Sequence, residues 1–209
     1  MQSPRNRAVA QSLRGVGIGT LLVDLLTDAE NERDQYTREF RFDIPRLARR
    51  VADCVDALKN CPTTKHLPVM LVGSSTGAAA ALMAAAERAD RVAAVVSRGG
   101  RADLAGDEAL GQVRAPTLLI VGGDDHQVLQ LNRDAAAQMK AAQSVKLTVV
   151  PGASHLFESR GRWTRSRRSR RNFSTSTPEP PQRGKRRPAR ERRKSHSGRR
   201  AGRRRARRR

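Results

Sequence analysis

The residues with the clearest capacity for chemistry form the run Gly73-Ser74-Ser75-Thr76-Gly77. It follows the apolar stretch Val69 to Val72, which Pro68 opens, and it precedes an Ala-rich stretch from Ala78 to about Arg88. G-x-S-x-G between a strand and a helix is the setting in which a serine projects from a sharp, strained turn as a nucleophile. The spacing implies that a side chain at either flanking glycine would collide with neighbouring backbone. The amide of Thr76, at the start of the helix, is then aimed at the oxyanion of an attacked carbonyl. A Gly/Ser-rich turn without catalysis is the plainer alternative, and the strand–turn–helix setting disfavours it. A P-loop fails because no Lys-Ser/Thr follows the second glycine. Gly15, Gly17 and Gly19 precede an apolar run, which excludes a dinucleotide fingerprint.

A serine hydroxyl needs a base, and the base needs an acid to orient it. His155 lies in a turn after the apolar run Val145 to Val150, and Asp124 and Asp125 follow the run Thr117 to Val121. The chain order Ser, Asp, His is that of the α/β-hydrolases. The alternatives are a surface histidine and aspartates that merely cap the next helix. His126 sits at a helix entrance, the wrong slot for the base. Asp124-Asp125-His126 is a poor metal site, because adjacent residues rarely converge on one ion.

Positioning these groups requires alternating strands and helices over the first 158 residues, hence a mainly parallel sheet with helices on both faces. Arg7 to Arg14 reads as a short helix. Ile18 to Leu25, nearly continuously apolar, reads as a strand buried on both faces. Asp28 to Asp43 reads as a polar excursion. A helix follows with Pro45 in its first turn and Leu47, Val51, Cys54, Val55 and Leu58 at helical spacing. Strands are expected at Val69 to Val72, Val92 to Val96, Thr117 to Val121 and Val145 to Val150, with a helix from about Val128 to Ala142. Every candidate group then falls just past a strand's C-terminal end, where open α/β sheets build their sites.

Charge divides the chain sharply. Residues 159–209 hold 21 Arg and 2 Lys against Glu179 and Glu191, a net of +21 out of a total of +22, so residues 1–158 are nearly neutral. Cys54 and Cys61 cannot form a disulfide framework and lack metal-ligand partners; Cys54 reads as a small buried hydrophobe. No apolar run reaches the length of a signal peptide core or a membrane span, and a cytoplasmic setting without cofactors is the expectation.

The segments SPRNR, FDIPRLARRV, GSSTGAAAAL, VVSRGGRADLAG, APTLLIVGG, LNRDA and VPGASHLFE together resemble the dienelactone hydrolase-like branch of the α/β-hydrolase superfamily. More narrowly, they resemble a hydrolase domain sometimes fused to a phosphoribosyltransferase. The resemblance spans roughly Ser3 to Glu158. It implies an incomplete α/β-hydrolase domain over 1–158, Asp125 as the acid with Asp124 as the fallback, and an ester, thioester or lactone substrate. Dienelactone hydrolases proper use a cysteine where this chain has Ser75. Arg98 and Arg101, after a strand end, would hold a substrate carboxylate, although exposed loop arginines are the commoner explanation.

The resemblance also implies an earlier strand and a His-Gly-Ser-Gly-Ser-type loop before SPRNR, the source of a second oxyanion donor, so the chain reads as truncated there. That strand would lie between Ile18–Leu25 and Val69–Val72. After Glu158 a final helix is expected, and residues 159–209 instead lack an apolar pattern. The tail fits an out-of-frame translation: in a shifted frame, with permissible synonymous codons, Arg162 to Thr177 yields apolar positions at i, i+3, i+4 and i+7. The competing reading is a disordered polycation that binds nucleic-acid phosphates without sequence preference.

Overall fold

The computed structural model describes residues 3–155 and 157; the basic tail and the shifted-frame helix expected after Glu158 lie outside the described residues. Four strands, β1 (Val69–Ser75), β2 (Val92–Gly100), β3 (Thr117–Gly122) and β4 (Val145–Val150), form one sheet in the order β1-β2-β3-β4. All three pairings are parallel. Parallel neighbours need long crossovers. These are supplied by α4 (Thr76–Glu87), by a 3₁₀ turn (Ala102–Ala105) with α5 (Asp107–Gln112), and by α6 (His126–Gln138). Three helices precede the sheet: α1 (Pro4–Arg14), α2 (Asp28–Thr37) and α3 (Ile44–Asn60).

The sheet alternates its side chains between two faces, each covered by an apolar cluster, as a period of two requires. Val95 and Leu119 point into the larger one, with Leu47 and Val55 of α3 and Leu82 of α4. Val96, Leu118 and Ile120 point to the opposite face, with Ala153 and Phe157 from the chain after β4. Every residue of β3 is buried. Ala78 to Ala81 of α4 are buried as well, and a helix of small residues approaches the sheet closely at that end.

Several elements differ from the sequence expectation. Ile18 to Leu25 forms no strand. A strand exists only through its ladder, and among the described residues the sheet's ladders do not include this segment. It runs irregularly, with Leu21 59 % exposed, while Leu25 and Leu26 still pack against the larger cluster. The sheet accordingly has four strands and not five, and β1 has a neighbour on one side only among the described residues. Within the polar excursion lies α2, started by a capping box in which Thr27 and Glu30 each accept from the other's backbone amide. Its weak apolar pattern hid it, while Thr27 and Glu30 had the capping spacing all along. Finally, β2 extends to Gly100, four residues beyond the apolar run that marked it.

Candidate active site

Because all four strands are parallel, their C-terminal ends share one edge of the sheet, and that edge collects the chemically capable groups. Ser75 ends β1 with φ 51° and ψ −131°. A non-glycine residue holds this sparsely populated conformation only where its surroundings over-determine it. Gly73 is one cause: a Cβ there would lie 2.4 Å from the Gly77 carbonyl oxygen and 2.6 Å from Ala78 Cα. Gly100 on β2 is another, since its Cβ would lie 2.4 Å from Ala78 Cβ. The Arg101 amide donates to the Ser75 carbonyl at 3.1 Å and ties the turn to the end of β2. Gly77 corrects the expectation of a collision at both glycines: nothing comes closer than Leu25 Cδ1 at 4.0 Å. The Ser75 side chain is exposed, and Thr76 opens α4, where an N–H has no intrahelical acceptor.

On the other side of the edge, His155 Nδ1 lies 2.8 Å from Asp125 Oδ2. The second oxygen of Asp125 accepts from the Val128 amide at 3.4 Å and caps α6. One carboxylate therefore both pairs with His155 and caps α6. Asp124 is exposed, and its amide donates to the Ala153 carbonyl, so its contribution is to hold the loop. His126 begins α6. Among the described residues no hydrogen bond joins Ser75 to His155.

The loop carrying His155 is seated on glycines that the sequence reading passed over. A Cβ on Gly122 would lie 2.3 Å from the Ala153 carbonyl oxygen and 2.6 Å from that of Ser154. At Gly99, which has φ +54°, a Cβ would lie 2.8 Å from the His155 carbonyl oxygen. Both belong to Gly-Gly pairs at strand ends, the signal by which they could have been found.

The two arginines part company. Arg101 closes an ion pair with Asp103, Nη2 to Oδ2 at 2.7 Å, and Nε donates to Oδ1 at 2.9 Å. Arg98 is no exposed loop residue: it lies within β2 and is 8 % exposed, and its Nη2 donates to Ser74 Oγ at 2.7 Å. Burial, reinforced by the charge of Arg5, pushes its pKa down to about 10.

A parallel sheet with crossover helices and polar groups gathered at the strand ends is common to open α/β folds, and the solved relative below makes this one α/β-hydrolase-type. The chain belongs to the dienelactone hydrolase family, whose profile matches residues 7–175, and it is thus of a hydrolase lineage. It is 51 % identical to a dienelactone hydrolase from Anabaena variabilis, with a TM-score of 0.77 over 82 % of this chain and 78 % of that one. An alpha-beta serine hydrolase homologue from Coxiella burnetii shares the fold, with a TM-score of 0.57 at 20 % identity over 81 % of this chain and 76 % of that one. Two Mycobacterium tuberculosis proteins, provisionally named phosphoribosyl transferases, are each 56 % identical over 159 residues. That stretch is 76 % of this chain and 34 % of each of those proteins, so the chain spans about a third of their length.

Proposed function

We propose that this chain is built to hydrolyse carboxylic ester, thioester or lactone bonds through an acyl-enzyme on Ser75, with residues 1–158 as the hydrolase domain. The observation that carries this reading is the Asp125–His155 pair on the same sheet edge as the strained Ser75 turn. Asp125 fixes the imidazole so that its other nitrogen takes the Ser75 proton as Oγ bonds to the substrate carbonyl carbon. The Thr76 N–H helps hold the resulting oxyanion. Collapse expels the alcohol, thiol or lactone oxygen, which leaves with the proton from His155. Water, deprotonated by His155, then attacks the acyl group and returns the free serine and the acid.

The test is turnover of p-nitrophenyl acetate by the full chain and by Ser75→Ala. Removing a nucleophile of this kind lowers kcat by on the order of 10³-fold or more, and equal rates in the two proteins would sink the reading. The Mycobacterium tuberculosis relatives support a functional association between this hydrolase domain and a phosphoribosyl transferase. A second reading rests on the charge: with a net of +21, residues 159–209 favour non-specific association with nucleic acid by counterion release. Under that reading the domain is an inactive remnant, with binding to mixed-sequence RNA that weakens steeply with salt and no Ser75-dependent turnover.

A further inference from the structure

We propose that Arg98 is a positioning residue that ties the Ser75 turn to the His155 loop, fixing the separation between nucleophile and base; the inference rests on the hydrolase reading above. Strand β2 lies between β1, which carries Ser75, and β3, which leads to Asp125. In that register Arg98 stands beside Ser74 on one side and Ile120 on the other. Its guanidinium donates to Ser74 Oγ at 2.7 Å, on the residue immediately before the nucleophile. The same group lies over the Phe157 ring, with Cζ 6.0 Å from the centroid. Phe157 is two residues beyond His155, is 2 % exposed, and packs with Ala153 and Val150. One planar group therefore touches both segments that present the proposed nucleophile and base.

Energetics favour a selected role over space filling. Burying a guanidinium is costly, and apolar residues of similar volume often fill such a position at least as well. Arginine joins a rigid donor fork to a face that stacks on aromatic rings, a combination lysine lacks. A substrate carboxylate was the role expected of Arg98 from the sequence. Its burial and its contacts with Ser74 and Phe157 point to holding the frame.

The experiment compares Arg98→Met, Arg98→Lys, Ser74→Ala and the Arg98→Met/Ser74→Ala pair in the full chain, with uncharged p-nitrophenyl acetate as substrate. Arg98→Met is expected to lower kcat by roughly 10- to 100-fold, the scale of a misplaced reacting group, with KM changed less than about twofold. Ser74→Ala should lower kcat by a smaller factor, and Arg98→Lys should recover only part of the loss. The double variant should be no worse than Arg98→Met, because both changes break the same hydrogen bond. A rise in KM with kcat retained, or losses that multiply independently, would overturn the proposal. Ser74→Ala guards against an Arg98 variant that does not fold, since full kcat in Ser74→Ala alone overturns it too. An arm independent of turnover records the His155 imidazole resonances by NMR, which both Arg98→Met and Ser74→Ala should shift although neither residue bonds the ring. Unchanged resonances would overturn the proposal even in a protein without esterase activity, whereas shifted resonances without Ser75-dependent turnover would sink only the hydrolase reading.

Discussion

The two flanks of this molecule are held together by different forces. In the sheet from β2 to β4, β3 is buried along its whole length, and β2 and β3 end on glycines with no room for a methyl group. The region from Gly15 to Asp43 instead leaves Leu21 59 % and Val23 42 % exposed and is tied down by polar bonds. Arg50 donates to the Leu25 carbonyl at 2.6 Å and to both Glu30 oxygens, and the Asp34 carboxylate accepts from the amides of Phe40 and Arg41. Apolar burial and close packing respond to volume; polar ties respond to pH. Asp125 and His155 follow strands β3 and β4, while Ser75 ends β1, which among the described residues stands at the end of the strand order.

The largest expected effect comes from adding volume on the packed flank. Gly122→Ala would push the Ala153 and Ser154 carbonyls away and displace His155 from Asp125. Under the proposed hydrolase reading, turnover should fall by about 100-fold, the scale of misplacing a reacting group by an ångström. An unchanged kcat would show that the close approach at Gly122 is not what seats the loop.

Next in size is a contrast between the two glycines around Ser75. Gly73→Ala forces backbone apart at the turn and should destabilise the protein by about 2–3 kcal/mol, the range of an overpacked core. Gly77→Ala has space and lies inside α4, so it should be neutral or stabilising by up to about 1 kcal/mol. Chemical denaturation of both variants checks the pair, and equal costs would remove the distinction drawn here.

A third prediction concerns pH on the polar flank. Burial by itself raises the Asp34 carboxyl, but hydrogen bonds from the Arg41 amide and guanidinium and from the Phe40 amide outweigh it and hold the pKa below its ordinary value. A depressed carboxylate pKa contributes stability that is complete above the unfolded value of about 3.9 and is lost as pH falls through the lower folded value. The Asp34→Asn variant should therefore melt below the wild type at pH 7, and the gap should narrow in acid below about pH 4. A gap that stays constant from pH 7 to pH 2 would show that the carboxylate charge contributes nothing there.

The smallest effect is a difference in thiol reactivity. A hydrogen bond with the Thr63 hydroxyl, joined by neighbouring donors, draws the Cys61 pKa down to about 7, whereas burial pushes that of Cys54 up. Iodoacetamide at pH 7.5 should alkylate Cys61 first, as peptide mapping would show, with little effect on the fold.

The order of elements around the site was legible in the residues because it depends on local pattern. Val145 to Val150 forms a strand over those residues, and the runs at Val69, Val92 and Thr117 begin their strands where expected. Strand ends were less legible: Ser97 to Gly100 carry little apolar signal, so Arg98 read as a loop residue until pairing with Ser74 and Ile120 drew it into β2. The apolar run at Ile18 misled for the complementary reason, since apolarity marks a segment suited to burial and only a ladder partner makes it a strand. Helix α2 was missed because a polar helix announces itself by its cap alone.

What the sequence by itself determined is the set of groups and their order: a serine between glycines after an apolar run, then acid and histidine after later runs, all on one sheet edge once the strands are parallel. Local chemistry and periodicity suffice for that. Only the tertiary structure decided that Asp125 meets His155 while Asp124 faces outward, that Gly73 is sterically required and Gly77 is not, and that Arg98 is buried against Ser74 and Phe157. Those outcomes depend on distances between residues far apart in the chain, which packing sets and spacing along the sequence does not.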